Sequence, residues 1–247
     1  MATSENQVIN NGVSTHGMPD IFTEFPVQFT KTDVVTLELI VDREIIQGLV
    51  PDQAEINPDN KVLVYLATQR CKALDYDEVV VVVPITCNGK SGDFMNVLYL
   101  DNAAPIVAGR ELLGSPKVDS DISAEWGGNH VQFSLSRGGE PLIKFKGKFG
   151  DIHPETMPVI DTYGFAMKVI PSIEGPGLHS IKTLVSFSVD KLKYYNIRMA
   201  EDFEFEYHPS AQHYLSGLGD YKIASVSYAH LDFILGFGAI EHDYLKQ

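Results

Sequence analysis

Apolar residues in this chain come mostly in short β-branched and aromatic blocks, punctuated by Asn-Gly, Pro and Asp. The blocks DVVTLELIV (33–41), KVLVYLAT (61–68), EVVVVVPITC (78–87) and FMNVLYL (94–100) read as strands. The run VVVVVP at 79–84 suits a strand that is buried. NGKSGD (88–93) reads as a hairpin turn. HVQFSLSRGGEPLIKFKGKF (130–149) reads as a hairpin closing on Gly138-Gly139, with period-two alternation in its second arm. Further strands are predicted in FAMKVIPSI (165–173), IKTLVSFSVDKL (181–192) and DFEFEYH (202–208). Helix signals are few. DREIIQGLVP (42–51) has an Asp cap, apolar residues at Ile45, Ile46, Leu49 and Val50, and a terminating proline. The last stretch, SYAHLDFILGFGAIEHDYLKQ, begins as a strand and is expected to end in a short helix.

Residues 1–20 are polar and Asn/Ser-rich and are expected to form a flexible tail. Residues 21–247 then form one mainly β (α+β) domain, an antiparallel barrel or folded-over sheet with a few short helices. A chain of 247 residues is long enough to bury a full core.

Charge narrows the partners. The net charge is −14, from 33 acidic and 19 basic residues, which lacks the basic footprint that nucleic acid or an anionic membrane surface requires. Two cysteines, Cys71 and Cys87, are too few for a disulfide framework. No apolar run approaches the length of a membrane span, and the start lacks the basic and apolar regions of a signal peptide. The expected location is the cytoplasm.

Most common catalytic motifs are missing from the sequence: no nucleophile-elbow serine, no phosphate-binding loop and no strand–GxGxxG–helix unit. HPSAQH (208–213) is the nearest approach to metal-ligand spacing and reads better as a polar loop; no metal and no cofactor is expected. YAHLDF (228–233) holds a His and an Asp that strand alternation accounts for equally well. Trp126 reads as a packed residue at a strand end. Lys117, in GRELLGSPKV, is different. An amine is a nucleophile only when neutral, and an ordinary lysine near pKa 10.4 is almost wholly charged at pH 7. Burial in apolar surroundings or a neighbouring cation lowers that value. The preceding proline places Lys117 at a rigid turn.

From CNGKSGDFMNVLYLDNAAPIVAGRELLGSPK (87–117) the chain resembles the acetoacetate decarboxylase superfamily, whose central block has GD, YLDN, GREL and PK in this order and spacing. FAMKVIPSIEG (165–175), FEFEYHPSAQHYLSGLGDYKIASVSY (203–228), DYLK (243–246) and, upstream, FTKTDVVTLELIVDREIIQGLVP (29–51) extend the resemblance over nearly the whole chain after the tail. It implies a lysine that condenses with a substrate ketone to give an imine, activated by desolvation or an adjacent cation as that family is known to do. Lys117 matches this lysine. Glu78 matches one of the family's two active-site glutamates and follows the expected Tyr76. The resemblance also implies large homo-oligomers.

The departures concern the rest of the site. The second glutamate falls on Val64, and the active-site arginine on Thr32, with Lys31 beside it as a stand-in. Ser115 replaces an aromatic, and Val118 replaces the second lysine, so activation of Lys117 falls to desolvation, which the valine is expected to assist. Thr32, Val64, Tyr76, Ser115 and Val118 are therefore expected to touch substrate. Arg110 and Glu111 are expected to form a structural ion pair near the lysine turn, and Asp101 and Asn102 to cap a turn. The leading expectation is decarboxylation of a β-keto acid larger or less polar than acetoacetate. The alternatives are an aldolase, dehydratase or cyclase using the same lysine on a 2-keto acid or ketone, and a non-catalytic binder of an apolar ketone or acid.

Overall fold

The computed structural model describes residues 25–154, 157–211 and 213–246; the tail expected over 1–20 lies outside them. Among the described residues the chain forms β1 (Val27–Val41), α1 (Arg43–Gln47), β2 (Glu55–Ile56), β3 (Lys61–Arg70), β4 (Asp75–Cys87), β5 (Lys90–Leu100), α2 (Ala103–Ala108), a π-helical turn (Gly109–Leu113) and β6 (Lys117–Asp119). It continues through β7 (Asp121–Gly127), β8 (His130–Arg137), β9 (Glu140–Phe149), β10 (Ile160–Pro171), β11 (His179–Tyr207), a 3₁₀ turn (Tyr214–Leu218) and β12 (Tyr221–Asp243).

The strands make one sheet in the order β10-β5-β4-β3-β1-β12-β11-β9-β8-β7, with β2 on β4 and β6 on β5. The folded-over sheet is the form observed. Long β11 carries the fold: its first half pairs with β10 and its second half with β9, so one strand belongs to two layers. β10 also touches β5 through a short parallel pairing of Tyr163–Phe165 with Gly92–Phe94. Antiparallel pairing dominates, and tight turns join β4 to β5 at Asn88-Gly89 (φ 51° and 76°) and β8 to β9 at Gly138-Gly139 (φ 59° and 82°).

Two apolar layers result. The larger packs Val35, Leu37, Val62, Val64, Leu66, Val79, Val81 and Val83 against Val131, Phe133, Leu135 and Phe145 of β8 and β9. Side chains alternate along a strand, so the intervening residues of β1, β3 and β4 face the opposite way. Val80 and Val82 sit there with Phe29, Tyr76, Leu98 and Leu100. Both faces of β4 are thus covered, which explains its unbroken valine run.

The predicted helix forms as α1, with the Asp42 carboxylate accepting from Glu44 N at 3.0 Å. The helix expected near the C-terminus does not form. β12 runs unbroken through Asp243 because β11 supplies a pairing partner from Ser227 to Asp243, and that pairing outweighs the local helical signal. A helix appears instead at α2, capped by Asn102, whose side chain accepts from Ala104 N at 3.0 Å. Asp101 holds the adjoining turn by accepting from Asp77 N at 3.0 Å.

Candidate active site

The second face of β1, β3 and β4 encloses a cavity of about 170 Å³ together with β5, β11 and β12. Its walls are mostly apolar, including Phe29, Val80, Leu98, Phe187 and Phe233, with a polar group formed by Thr32, Gln69, Tyr76, Glu78 and Ser115. A smaller lobe of about 60 Å³, lined by Phe25, Cys71, Leu74 and α2, shares Phe29, Tyr76, Leu113, Leu235 and Lys117 with it. Lys117 stands where the two meet and is the cation among the described lining residues of either.

The loop before β6 is built to hold this lysine. Ser115 N donates to Gly109 O at 3.0 Å and Lys117 N to Ser115 O at 2.8 Å, closing the chain tightly around Pro116. Arg110 Nη1 donates to Lys117 O at 3.0 Å, so the guanidinium clasps the lysine backbone from outside. Lys117 then pairs in parallel with Leu98 of β5. Its aliphatic stem lies on Gly109: a Cβ at that position would come within 2.6 Å of Lys117 Cδ and 2.7 Å of Cε. The glycine of GREL is required for space. Its φ of −65° is one that alanine adopts freely. Gly114, at φ 71°, turns the chain out of the π-helical segment.

Only 11% of the Lys117 side chain is exposed. Burial lowers its pKa from the ordinary lysine value, and the neighbouring Glu78 carboxylate opposes that shift with a smaller effect. Glu78 Oε2 lies 3.8 Å from Lys117 Nζ, is buried, and takes part in no hydrogen bond. The other oxygen, Oε1, accepts from Gln69 Nε2 at 2.6 Å, and Gln69 Oε1 accepts in turn from Thr32 Oγ1 at 3.0 Å. This chain fixes the rotation of the carboxylate and leaves one oxygen free to face the amine. The Tyr76 ring lies 5.5 Å from the ammonium position. Its hydroxyl is pushed well above the usual tyrosine value by burial and by Glu78, so it remains a proton donor.

The structure brings Lys117, Glu78, Thr32, Tyr76 and Ser115 together at one cavity. It does not bring Val64 or Val118 there. Val64 points into the larger core beside Val62 and Leu66, because it is out of phase with Tyr65, Ala67 and Gln69, which face the cavity. Val118 follows Lys117 in a strand and so turns to the opposite side, against that same core; the desolvation comes from the cavity walls and Gly109. Lys31 is exposed, on a bulge with φ 53°, its amide donating to Asp232 Oδ1 at 2.8 Å, and it does not stand in for an arginine. The bulge puts both Phe29 and Thr32 on the cavity side.

The expected Arg110–Glu111 ion pair is not formed. Both are exposed on the π-helical turn; Arg110 holds Lys117 O, and Glu111 is near enough to Lys168 to favour its charged form. Gln69 was not singled out in the sequence. The sequence offered only a polar residue in phase with Ala67 on a strand; that Ala67 lies directly opposite Glu78 follows from the pairing of β3 with β4. His213, expected in a polar loop, is buried between the rings of Tyr99 and Tyr207, and burial lowers its pKa to about 4. His230 and Asp232 lie out of phase with Leu231 and Phe233, which line the cavity. His230 bonds Tyr228 and Asn196, while Asp232 bonds Tyr195 and Lys31 N. Among the described residues no group of three or more His, Cys, Asp or Glu is placed to hold a metal ion, and no helix is long and apolar enough to cross a membrane.

The acetoacetate decarboxylase family model matches residues 14–245, and the chain belongs to that family. It is 25% identical over 227 residues to an acetoacetate decarboxylase of Burkholderia vietnamiensis, covering 90% of this chain and 91% of that protein. A crystal structure of acetoacetate decarboxylase from Legionella pneumophila superposes with a TM-score of 0.83 at 22% identity, over 96% of this chain and 95% of that one. The enduracididine biosynthesis enzyme MppR, in complex with the condensation product of pyruvate and imidazole 4-carboxaldehyde, shares the fold at a TM-score of 0.74 and 16% identity, over 92% and 94% of the two chains.

Proposed function

We propose that this acetoacetate decarboxylase family member is a Schiff-base lyase that decarboxylates a β-keto acid larger or less polar than acetoacetate. The observation that carries the reading is the buried Lys117 amine, in an apolar cavity, facing the one free oxygen of a carboxylate held in place by Gln69.

Neutral Lys117 Nζ attacks the ketone carbon, and Glu78 Oε2 is placed to take the proton that the nitrogen sheds and return it to the departing oxygen. With one proton taken up, water leaves and a protonated imine remains. The bond between the carboxylate and the adjacent carbon breaks; its electron pair moves into the imine, giving a neutral enamine and CO₂. Protonation at carbon and addition of water then release the ketone and regenerate the amine. The sum is keto acid anion plus one proton giving ketone plus CO₂.

The cavity favours this outcome. Apart from the protonated imine, its described lining offers a substrate carboxylate no cation, so the carboxylate is poorly solvated there and its loss as neutral CO₂ relieves that cost. A condensation or dehydration on the same lysine is the second reading, favoured by the smaller lobe on the other side of Lys117, which has space for a second carbonyl partner. Incubation with a panel of medium-chain β-keto acids, followed by detection of CO₂ and methyl ketone, tests the proposal. The wild type is expected to release both and Lys117→Ala to fall to the uncatalysed background; an undiminished rate in the variant overturns it.

A further inference from the structure

The cavity has a second polar point, away from Lys117, that the reaction does not use. Tyr65 and Tyr194 both line it, from β3 and β11. The Tyr65 hydroxyl donates to Asp93 Oδ2 at 3.1 Å. Strand register fixes where this lies. Tyr65 pairs with Val80, Val80 with Leu98 and Leu98 with Lys117, so Tyr65 and Lys117 end one row running across four strands. Three strand spacings of about 4.8 Å, or about 14 Å, separate their backbones along the sheet, and the lysine side chain reaches back toward β4, where its Nζ lies 3.8 Å from Glu78 Oε2. Val80 and Leu98, between them, are apolar, and Phe187, Val189 and Leu192 line the same cavity.

Asp93 lies beyond Val82 on the same side of β4, opposite Pro84. Burial pushes its pKa up to about 6, with the Tyr65 hydrogen bond opposing the shift. The same carboxylate, with burial, raises both tyrosines, so all three groups form one cluster. The Tyr65 hydroxyl gives its proton to Asp93, which leaves the oxygen of this cavity-lining side chain able to accept a further hydrogen bond. A buried acceptor at the end of an apolar chamber is costly beside a purely hydrocarbon ligand and favourable beside a ligand that carries a donor.

We infer that Tyr65, oriented by Asp93 and flanked by Tyr194, is a distal recognition point, and that the substrate is an elongated ketone or keto acid with an apolar middle and a hydrogen-bond donor, a hydroxyl or amide N–H, at the end remote from the reacting carbonyl. This deepens the proposed function and rests on imine formation at Lys117 only for the position of the near end.

The test uses two linear methyl ketones of equal heavy-atom count, one ending in a hydroxyl and one in a methyl group. Each is trapped on the full-length protein with borohydride, and binding of each to Lys117→Met is followed by calorimetry. The hydroxyl ketone is expected to be preferred about fivefold or more in both measurements, one hydrogen bond's worth. That preference is expected to collapse to near unity in Tyr65→Phe and to weaken in Asp93→Asn. Asp93→Asn keeps the comparison available if Tyr65→Phe does not fold. Trapping without a preference, or a preference unchanged in both variants, overturns the recognition point and leaves the lyase reading standing. No trapping, together with a Tyr65-dependent preference in calorimetry, overturns the lyase reading and supports the recognition point.

Discussion

The same three strands, β1, β3 and β4, present two faces of opposite character. One face, carrying Leu37, Val64, Leu66 and Val81, is filled by the layer of β8 and β9, and its polar side chains, Asp33, Thr68 and Asp77, are gathered in one hydrogen-bonded row at its edge. The other, carrying Thr32, Gln69 and Glu78, surrounds open space, and its polar groups are held by one another. A shift of one residue along a strand moves a side chain from a packed interior to the cavity that holds Lys117 and Glu78. Chemistry is therefore assigned here by parity as much as by residue type.

The sharpest way to break this comparison is to place a carboxylate on each face. Val64→Glu buries an unpaired charge among Val62 and Leu66 and is expected to cost more than about 4 kcal/mol, yielding little folded protein. Gln69→Glu puts the same group beside Glu78 and is expected to fold. It raises the proton affinity of the carboxylate pair and moves the activity profile toward higher pH. Circular dichroism and expression yield check the first, a pH–rate profile the second. Comparable folding of the two variants would remove the distinction between the faces.

Gly109→Ala probes the chamber alone. The added methyl displaces the lysine stem without straining the backbone, and a shift of about 1 Å is expected to lower turnover by about 10², with little change in melting temperature. Leu66→Ala and Leu98→Ala form the gentlest pair. The first opens a void in a filled core and is expected to cost about 3–5 kcal/mol in denaturant unfolding; the second enlarges space that already exists and is expected to cost about 2 kcal/mol while altering substrate preference.

This parity also explains what could be read before the fold was known. Apart from the short β2, β6 and β7, the strands, both glycine hairpins and α1 were legible because β-branched blocks and turn residues act locally. Lys117 and Glu78 were legible through the family resemblance, which follows their place along the chain. Val64 and Val118 were misplaced because linear position does not say which face a side chain occupies. Gln69 was missed because its role depends on pairing with β4. The extent of β12 escaped because β11, a strand of 29 residues that changes partner midway, sets it through pairing far along the sequence.

The central claim is that dryness alone, without a neighbouring cation, readies Lys117. Below its lowered pKa the folded protein must hold a poorly solvated ammonium, while the unfolded chain keeps an ordinary one. This lysine's contribution to stability therefore rises with pH, from the folded value up to about 10.4, where the unfolded lysine loses its proton. The most direct measurement is the rate of borohydride-trapped imine formation with a simple ketone as a function of pH, with mass mapping of the modified peptide. The account predicts a single label on Lys117 and a rate that climbs through a midpoint clearly below 10.5. A midpoint at the ordinary lysine value, or a label on any other lysine, contradicts it.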